Sequence, residues 1–453
     1  MNPAAGRRCA AAPAVIASLV VVAASAWAPV RADTPALRLE LPALDSAVNL
    51  GADAAFPSMA QSLALTRGVY QLGHTALERR LADHPRRSVL SVAAFDVLMN
   101  WLPLGSTWLH EEWHRAVLSR YGIGSRNDVY GLDLFAESVA VSEVSDAELA
   151  WLKREHPADL VRLRAAGFEA ETELQNAFEF ERFFHRSTGR DGIVMWANAI
   201  NTIAYMSLCA SREADAFTRE ANDDDGADVG RRDVSGLDCT AWVYDLFRPD
   251  EPYEARGLHP SGVGVDRYIA YGDLAEEERE YLRLQRNLSL VNLLDPFLFG
   301  RDRFQGTGPL DGRPLEWNVT ARHYLTPFGY SLGANLYLRN HRGKLLAALF
   351  AYVNDERVLP GLDLRWVDHP VTLGDSPARL SARAAVWRQP EDQRFRADEA
   401  HTGGLLAARL ALPVNRRWEL FVEAEAKSEG WVAGNVSLDA GATVRAGVVA
   451  RVF

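Results

Sequence analysis

Near residue 314 the spacing of apolar residues changes, and this confines the chain to a helical part followed by a sheet. From about residue 55 to 300 the apolar positions recur at helical spacing, as in RRSVLSVAAFDVLMNWL and DGIVMWANAINTIAYMSL. After about residue 314 the period becomes two. In RRWELFVEAEAK, Trp418, Leu420, Val422, Ala424 and Ala426 share one face, and Glu419, Glu423, Glu425 and Lys427 share the other. The last such segment, ATVRAGVVARVF, sets Val444, Ala446, Val448, Ala450 and Val452 against Arg445 and Arg451.

Eight runs of this kind begin near Trp317, Tyr330, Leu345, Leu362, Leu380, Leu406, Trp418 and Thr443, joined by short polar links such as NHRG and PVNRR. Segments of about ten residues with one apolar and one charged face predict an eight-stranded antiparallel barrel of the outer-membrane type, apolar outward. Alternation alone does not say which face is inside, so a soluble barrel or sandwich is the alternative. A barrel of this size has room only for its own side chains, which makes it an anchor or a small cavity, with Glu423 and Glu425 opposite Arg445 and Arg451 as lumen ion pairs. Outer-membrane barrels commonly end in an aromatic residue. Phe453 supplies one, although it lies in phase with Arg451. The expected fold class is α+β multidomain: an α-helical metal-binding domain over 33–313, then the barrel over 314–453.

The chain opens MNPAAGRRCAAAPAVIASLVVVAASAWAPVRAD, which has the build of a secretory signal peptide over residues 1–32. Cys9 precedes the apolar run, where it is not placed for lipidation. Removing this segment leaves 46 Lys+Arg against 60 Asp+Glu, a net charge of −14. That surface argues against nucleic acid and anionic headgroups as partners. In an oxidising compartment the remaining Cys209 and Cys239 most simply pair. They bracket a polar loop whose acids Asp223, Asp224, Asp225 and Asp228 lack the glutamate that would complete a calcium loop. In the segment 191–208, Asn198, Asn201 and Tyr205 form a polar stripe, which predicts a helix whose amides are held by protein.

Residues 108–117, WLHEEWHRAV, contain His110, Glu111 and His114 in the order His-Glu-x-x-His. On a helix starting at Ser106 or Thr107 and stopping at Gly122, side chains four apart share a face, so both imidazoles can reach one ion. The alternative is a surface helix on which Glu111 pairs with Arg115. The motif resembles the zincin metallopeptidases, over little more than these residues. The resemblance implies Zn2+ held by His110 and His114, with Glu111 as general base and peptide bonds as substrate. Glu112 and Arg115 depart from the zincin pattern. Val117 and Arg120 stand where the metzincin continuation would need glycine and histidine.

A gluzincin-like glutamate is then the expected third ligand. In AAGFEAETELQNAF, Glu171 shares a face with Gly167, Leu174 and Phe178, and Gly167 permits close helix approach, so Glu171 is the expected residue with Gln175 in support. Glu137 and Asp295 are the fallbacks; the segment around Asp295, SLVNLLDPFLFG, resembles faintly the asparagine-and-aspartate segment of membrane-embedded site-2 proteases. His185, Tyr205 and His259 are candidates for stabilising an oxyanion. The functional expectation is a zinc metallopeptidase of the bacterial envelope, held in the outer membrane with its helical domain in the periplasm. Two alternatives stand beside it: a metallohydrolase of envelope lipid or glycan, and a non-catalytic outer-membrane protein with a structural zinc site.

Overall fold

The computed structural model describes residues 37–49, 57–133, 139–185, 189–308, 312–355 and 357–452. The expected signal segment 1–32, the fallback ligand Glu137 and the terminal Phe453 lie outside the described residues.

The period change marks a real change of structure. Among the described residues, nine helices of ten residues or longer precede the main run of strands. They are α1 (Met59–Arg80), α2 (Pro85–Met99), α3 (Ser106–Ser119), α4 (Asp146–Glu155), α5 (Pro157–Phe184), α6 (Gly192–Cys209), α7 (Glu213–Asp225), α8 (Asp238–Phe247) and α9 (Glu276–Ser289). The eight alternating runs are all strands: β3 (Pro314–Thr326), β4 (Gly329–Asn340), β5 (Gly343–Asn354), β6 (Arg357–Leu373), β7 (Ser376–Pro390), β8 (Ala400–Pro413), β9 (Trp418–Lys427) and β10 (Gly441–Val452).

Two further strands extend them. β1 (Leu37–Asp45) pairs antiparallel with β10, and β2 (Phe304–Thr307) pairs with β3. The result is one ten-stranded antiparallel sheet in the order β1-β10-β9-β8-β7-β6-β5-β4-β3-β2. This corrects the expected eight-stranded barrel. The sheet has ten strands, and its edges β1 and β2 do not pair, so it is open. It is nevertheless strongly curled: Arg38 Nη1 on β1 lies 3.4 Å from Asp368 Oδ2 on β6, five places along the order. In a flat sheet those strands would stand about 24 Å apart.

Burial shows which face is inside. Trp418, Leu420, Val422 and Val444 are exposed, while Glu419, Glu425 and Lys427 are buried. The convex face is therefore apolar and the concave face carries the ions. Buried charge has to be paired to be tolerated, and here it is: Arg445 Nη1 lies 2.9 Å from Glu423 Oε1 and 3.7 Å from Glu425 Oε2, and Arg451 pairs with Glu419 at 3.3 Å.

Helix α5 fills the concavity. Its 28 residues are buried on almost every side, which is why its many charges each meet a counter-charge or a hydrogen-bond donor. Glu179 accepts from the Tyr337 hydroxyl at 2.9 Å and pairs with Arg322, and Glu169 accepts from Trp431 Nε1 at 3.2 Å and Gly434 N at 2.8 Å. What remains between α5 and the sheet is a cavity of about 220 Å³. One apolar core contains Trp113, Leu163 and Phe178 from helices together with Tyr337, Leu346 and Val367 from strands. The boundary near residue 314 thus divides two kinds of secondary structure that pack as one body.

Candidate metal centre

Helix α3 presents the motif to the core. Gly105 precedes its first turn, where a side chain would run into the Met99 carbonyl, and Gly122 ends the following turn at φ 68°. His110, Glu111 and His114 are all buried. Arg115 binds Glu112, Nη1 to Oε2 at 2.7 Å, and Asn127 Nδ2 donates to Glu112 Oε1 at 2.9 Å. The alternative pairing of Arg115 with Glu111 is absent. The two residues that depart from the zincin pattern satisfy one another and leave Glu111 to the site.

The third group beside the two imidazoles is Asp238, the first residue of α8. Its Oδ2 lies 2.8 Å from His110 Nε2 and 3.4 Å from His114 Nε2. One ligand atom from each of His110, His114 and Asp238 falls within 4.8 Å of the others, a set that could hold a metal ion. Around a tetrahedral ion with bonds near 2.0–2.2 Å, ligand atoms stand about 3.3 Å apart, and the observed separations bracket that figure.

Both histidines are oriented from behind. His114 Nδ1 donates to the Leu163 carbonyl at 2.5 Å, which fixes the ring with Nε2 directed at Asp238. Glu171 lies at 3.2 Å from His110 Nδ1, so this ring has a carboxylate at each nitrogen; burial opposes its charge, but the hydrogen bonds to Asp238 and Glu171 raise its proton affinity well above that of an ordinary imidazole. So Glu171, expected as a ligand, stands at the Nδ1 side of His110 and is not in the group formed by His110, His114 and Asp238. It is itself held: Asn201 Nδ2 donates to its Oε1 at 2.8 Å, the Thr202 hydroxyl donates to its Oε2, and Asn198 Nδ2 donates to its backbone carbonyl at 2.6 Å. Gly167 makes room for this arrangement. A β-carbon there would stand 2.0 Å from His110 Nε2.

The polar stripe of α6 faces this centre. Beyond Asn198 and Asn201, the Tyr205 hydroxyl accepts from Asp238 N at 3.1 Å, which leaves its own proton available. A disulfide joins Cys209, at the end of α6, to Cys239, the neighbour of Asp238. The other sequence candidates lie elsewhere. Gln175 donates to Asp295 at 2.7 Å, and Asp295 binds Arg322 at 3.0 Å, which ties α5 to β3. His185 contacts Asp368 at 2.6 Å, and His259 contacts Ser261 at 2.9 Å.

Electrostatics separate the carboxylates. Burial pushes Glu111 well above the ordinary carboxylate range; His110 opposes this, and Asp233, Asp238 and Asp128 add to it. Burial and Asp238 push Asp233 up to about 7. Burial also works against the charge on Asp238, but His114 and His110 hold it below the usual range. A carboxylate kept ionised among imidazoles suits a ligand, and one raised toward neutrality suits proton transfer.

Asp238 had little sequence signal, since an aspartate at a helix start is ordinary capping chemistry. Its adjacency to Cys239 was the available clue. No protein-family model, no curated protein and no solved structure matches this chain.

Proposed function

We propose that the chain is a zinc-dependent hydrolase of the bacterial cell envelope, anchored in the outer membrane by the convex face of its sheet. The observation that carries the reading is the convergence of His110 Nε2, His114 Nε2 and Asp238 Oδ2 beside Glu111, with each imidazole fixed from its other nitrogen. Three protein ligands are the number found at catalytic zinc sites, where the fourth position is kept for water or substrate. Two imidazoles and one carboxylate are a donor set shared by zinc hydrolases and iron(II) sites, and the His-Glu-x-x-His order with Glu111 favours zinc.

Bound there, zinc would supply Lewis acidity, polarising a substrate carbonyl and easing ionisation of water. The protein's own groups do the rest. Glu111 takes up a proton within the site and returns it to the leaving group, and its raised affinity for protons matches that exchange. With a metal in place of the Nε2 protons, Glu171 and the Leu163 carbonyl would hold the two rings by their Nδ1–H groups. Tyr205 is placed to donate its hydroxyl proton to a developing oxyanion.

The substrate class proposed first is the peptide bond, as in the zincins that the motif resembles; an ester or amide of an envelope lipid is the second. The membrane reading is supported by exposed Leu336, Leu349, Leu364, Trp366, Val386, Leu406 and Leu420 on the convex face, a band of a kind that soluble monomers rarely leave open. The test is metal content, and hydrolysis of envelope proteins and lipids, for the wild type, Asp238→Ala and Glu111→Gln. Zinc at about one ion per chain, lost in Asp238→Ala and kept in Glu111→Gln, is expected. Activity should fall about a hundredfold or more in Glu111→Gln. An active Glu111→Gln enzyme would exclude the assigned base, and a metal-replete Asp238→Ala would exclude the centre.

A further inference from the structure

The sheet is open, yet its curl leaves a gap between β1 and β3 that the helices span in a row. α1 packs along β1, α2 on α1, α6 on α2, α9 on α6, and α9 reaches β3. We infer that this row of helices is the missing wall of the barrel, with its outer face against the hydrocarbon of the same bilayer that covers the sheet. The inference rests on the membrane reading above and replaces the expected periplasmic placement of the helical part.

Three observations carry it. The outer face of the row is apolar: Leu72 on α1, Leu90, Val97 and Leu98 on α2, and Leu284 on α9 are exposed, followed by Leu290, Leu294 and Phe299. α6 has no charged residue in 18 and is half buried; Ala204 and Asn201 are exposed on it, flanked by half-buried Ile200 and Ile203.

Second, the ionisable groups in the middle of the row point inward and pair. Arg67 on α1 meets Glu181 at 3.4 Å, and His74 bridges Asp191 at 2.9 Å and Asp96 of α2 at 2.6 Å. On α1 and α2 the charges that face out are confined to the ends, Arg79 and Arg80 at the end of α1 and Arg86 and Arg87 at the start of α2; on α9 Glu276, Glu277 and Glu280 are exposed and Arg283 pairs with Glu276 at 2.8 Å on the surface, so its apolar part begins at Leu284. For α1 and α2 this is the arrangement hydrocarbon demands of a spanning helix and water does not, and the charged first half of α9 lies where the headgroups would be.

Third, the edge of β3 that faces α9 has its donors satisfied by protein. Ala321 N donates to the Leu294 carbonyl at 3.1 Å, His323 N to Asn292 Oδ1 at 2.8 Å, and Val319 N to Asn318 Oδ1 at 2.8 Å. An edge in water can leave such groups to solvent, whereas an edge in lipid cannot. A consequence for the metal centre follows, because exposed Asn201 on this wall donates to Glu171 at 2.8 Å. One amide side chain then separates the group that orients His110 from lipid.

The experiment places a nitroxide at Leu98→Cys and Ala204→Cys on the wall, at Leu349→Cys on the convex sheet, and at Asp223→Cys on the exposed face of α7. The full chain is reconstituted in vesicles of phosphatidylethanolamine and phosphatidylglycerol, and collisions with oxygen and with aqueous nickel chelate are read. Strong oxygen and lost nickel broadening are expected at Leu98, Ala204 and Leu349, with the reverse at Asp223. If Leu98 and Ala204 follow Asp223 while Leu349 stays lipid-like, the wall is aqueous and the inference fails with the anchor intact. If Leu349 is aqueous too, the membrane reading falls with it. Low collision with both reagents and spin–spin broadening at Leu98 and Ala204 would assign the wall to a second copy of the chain and overturn the bilayer.

Discussion

Asp238 Oδ2 lies 2.8 Å from His110 Nε2, although the two residues stand 128 positions apart in the chain. The contact joins the first turn of α8 to the motif helix α3, and it depends on both helices docking against α5. Replacement of Asp238 by asparagine keeps the size of the side chain and removes its charge, so it tests the ligand more gently than truncation. Asp238→Asn should keep the fold, read by circular dichroism, while zinc affinity measured by chelator competition falls at least as far as the 10–100-fold typical of losing an outer partner.

Glu171 should behave differently from Asp238. It touches the distal nitrogen of His110 and is held by Asn201 and Thr202. Glu171→Gln keeps an acceptor oxygen that can orient the ring but loses the charge that raises ligand basicity. Zinc affinity should fall by about 10–100-fold, with the metal still stoichiometric at saturation. A complete loss at saturating zinc would instead make Glu171 a direct ligand.

The contrast shows what the sequence could reveal. Period two exposed β3 to β10, because each alternates along ten or more residues; it did not expose β2, whose four residues are too short to show a pattern. β1 precedes the helical part in sequence order and joins the sheet only through pairing with β10, a contact that no local period announces. The motif placed His110, Glu111 and His114 on one helix, and the close approach allowed by Gly167 correctly brought α5 against it. Which carboxylate stands nearest the two Nε2 atoms depends on tertiary docking: Glu171 and Asp238 both reach His110, from opposite nitrogens.

The disulfide should bear on the metal as well as on the fold. Cys239 follows Asp238, and Cys209 ends the helix that carries Asn198, Asn201, Thr202 and Tyr205. Closing a loop with a sequence separation of 30 stabilises the folded chain by about 3.5 kcal/mol in the chain-entropy treatment. The double variant Cys209→Ala, Cys239→Ala should therefore unfold at lower temperature. At a temperature where it remains folded, it should also bind zinc more weakly, since Asp238 is less firmly placed. Unchanged affinity would show that α8 is held by packing alone.

Asp245 offers a pH-dependent reading of the helical core. Fully buried, it lies 3.1 Å from Lys153 Nζ, 3.2 Å from Arg164 Nε and 2.6 Å from Arg256 Nη2. Burial opposes its charge, but Arg256, Lys153 and Arg164 hold its carboxyl well below the usual range. Because the folded group is the stronger acid, its contribution is fully present above an unfolded value of about 3.9 and is lost as pH falls below that. Asp245→Asn leaves three cations facing a neutral amide. It should cost about 3–5 kcal/mol at neutral pH, and the gap from wild type should narrow in acid, as followed by thermal unfolding in detergent.

The strongest steric prediction concerns Gly167. Its backbone conformation is ordinary helix, so alanine there is favoured by helix propensity by about 1 kcal/mol. Against that stands a single contact: the added methyl would lie 2.0 Å from His110 Nε2 and 2.3 Å from its neighbouring ring carbons. The ring has no free direction in which to yield, since Glu171 and Asp238 hold its two nitrogens. Either the imidazole swings away and the ligand is lost, or α3 and α5 separate and the core opens. Gly167→Ala should therefore abolish stoichiometric zinc binding while helicity is kept or slightly increased. A control at Ala166→Gly, one residue away on a buried face, should lower stability and leave zinc in place. Full zinc occupancy in Gly167→Ala would mean that His110 does not ligate through the nitrogen facing α5.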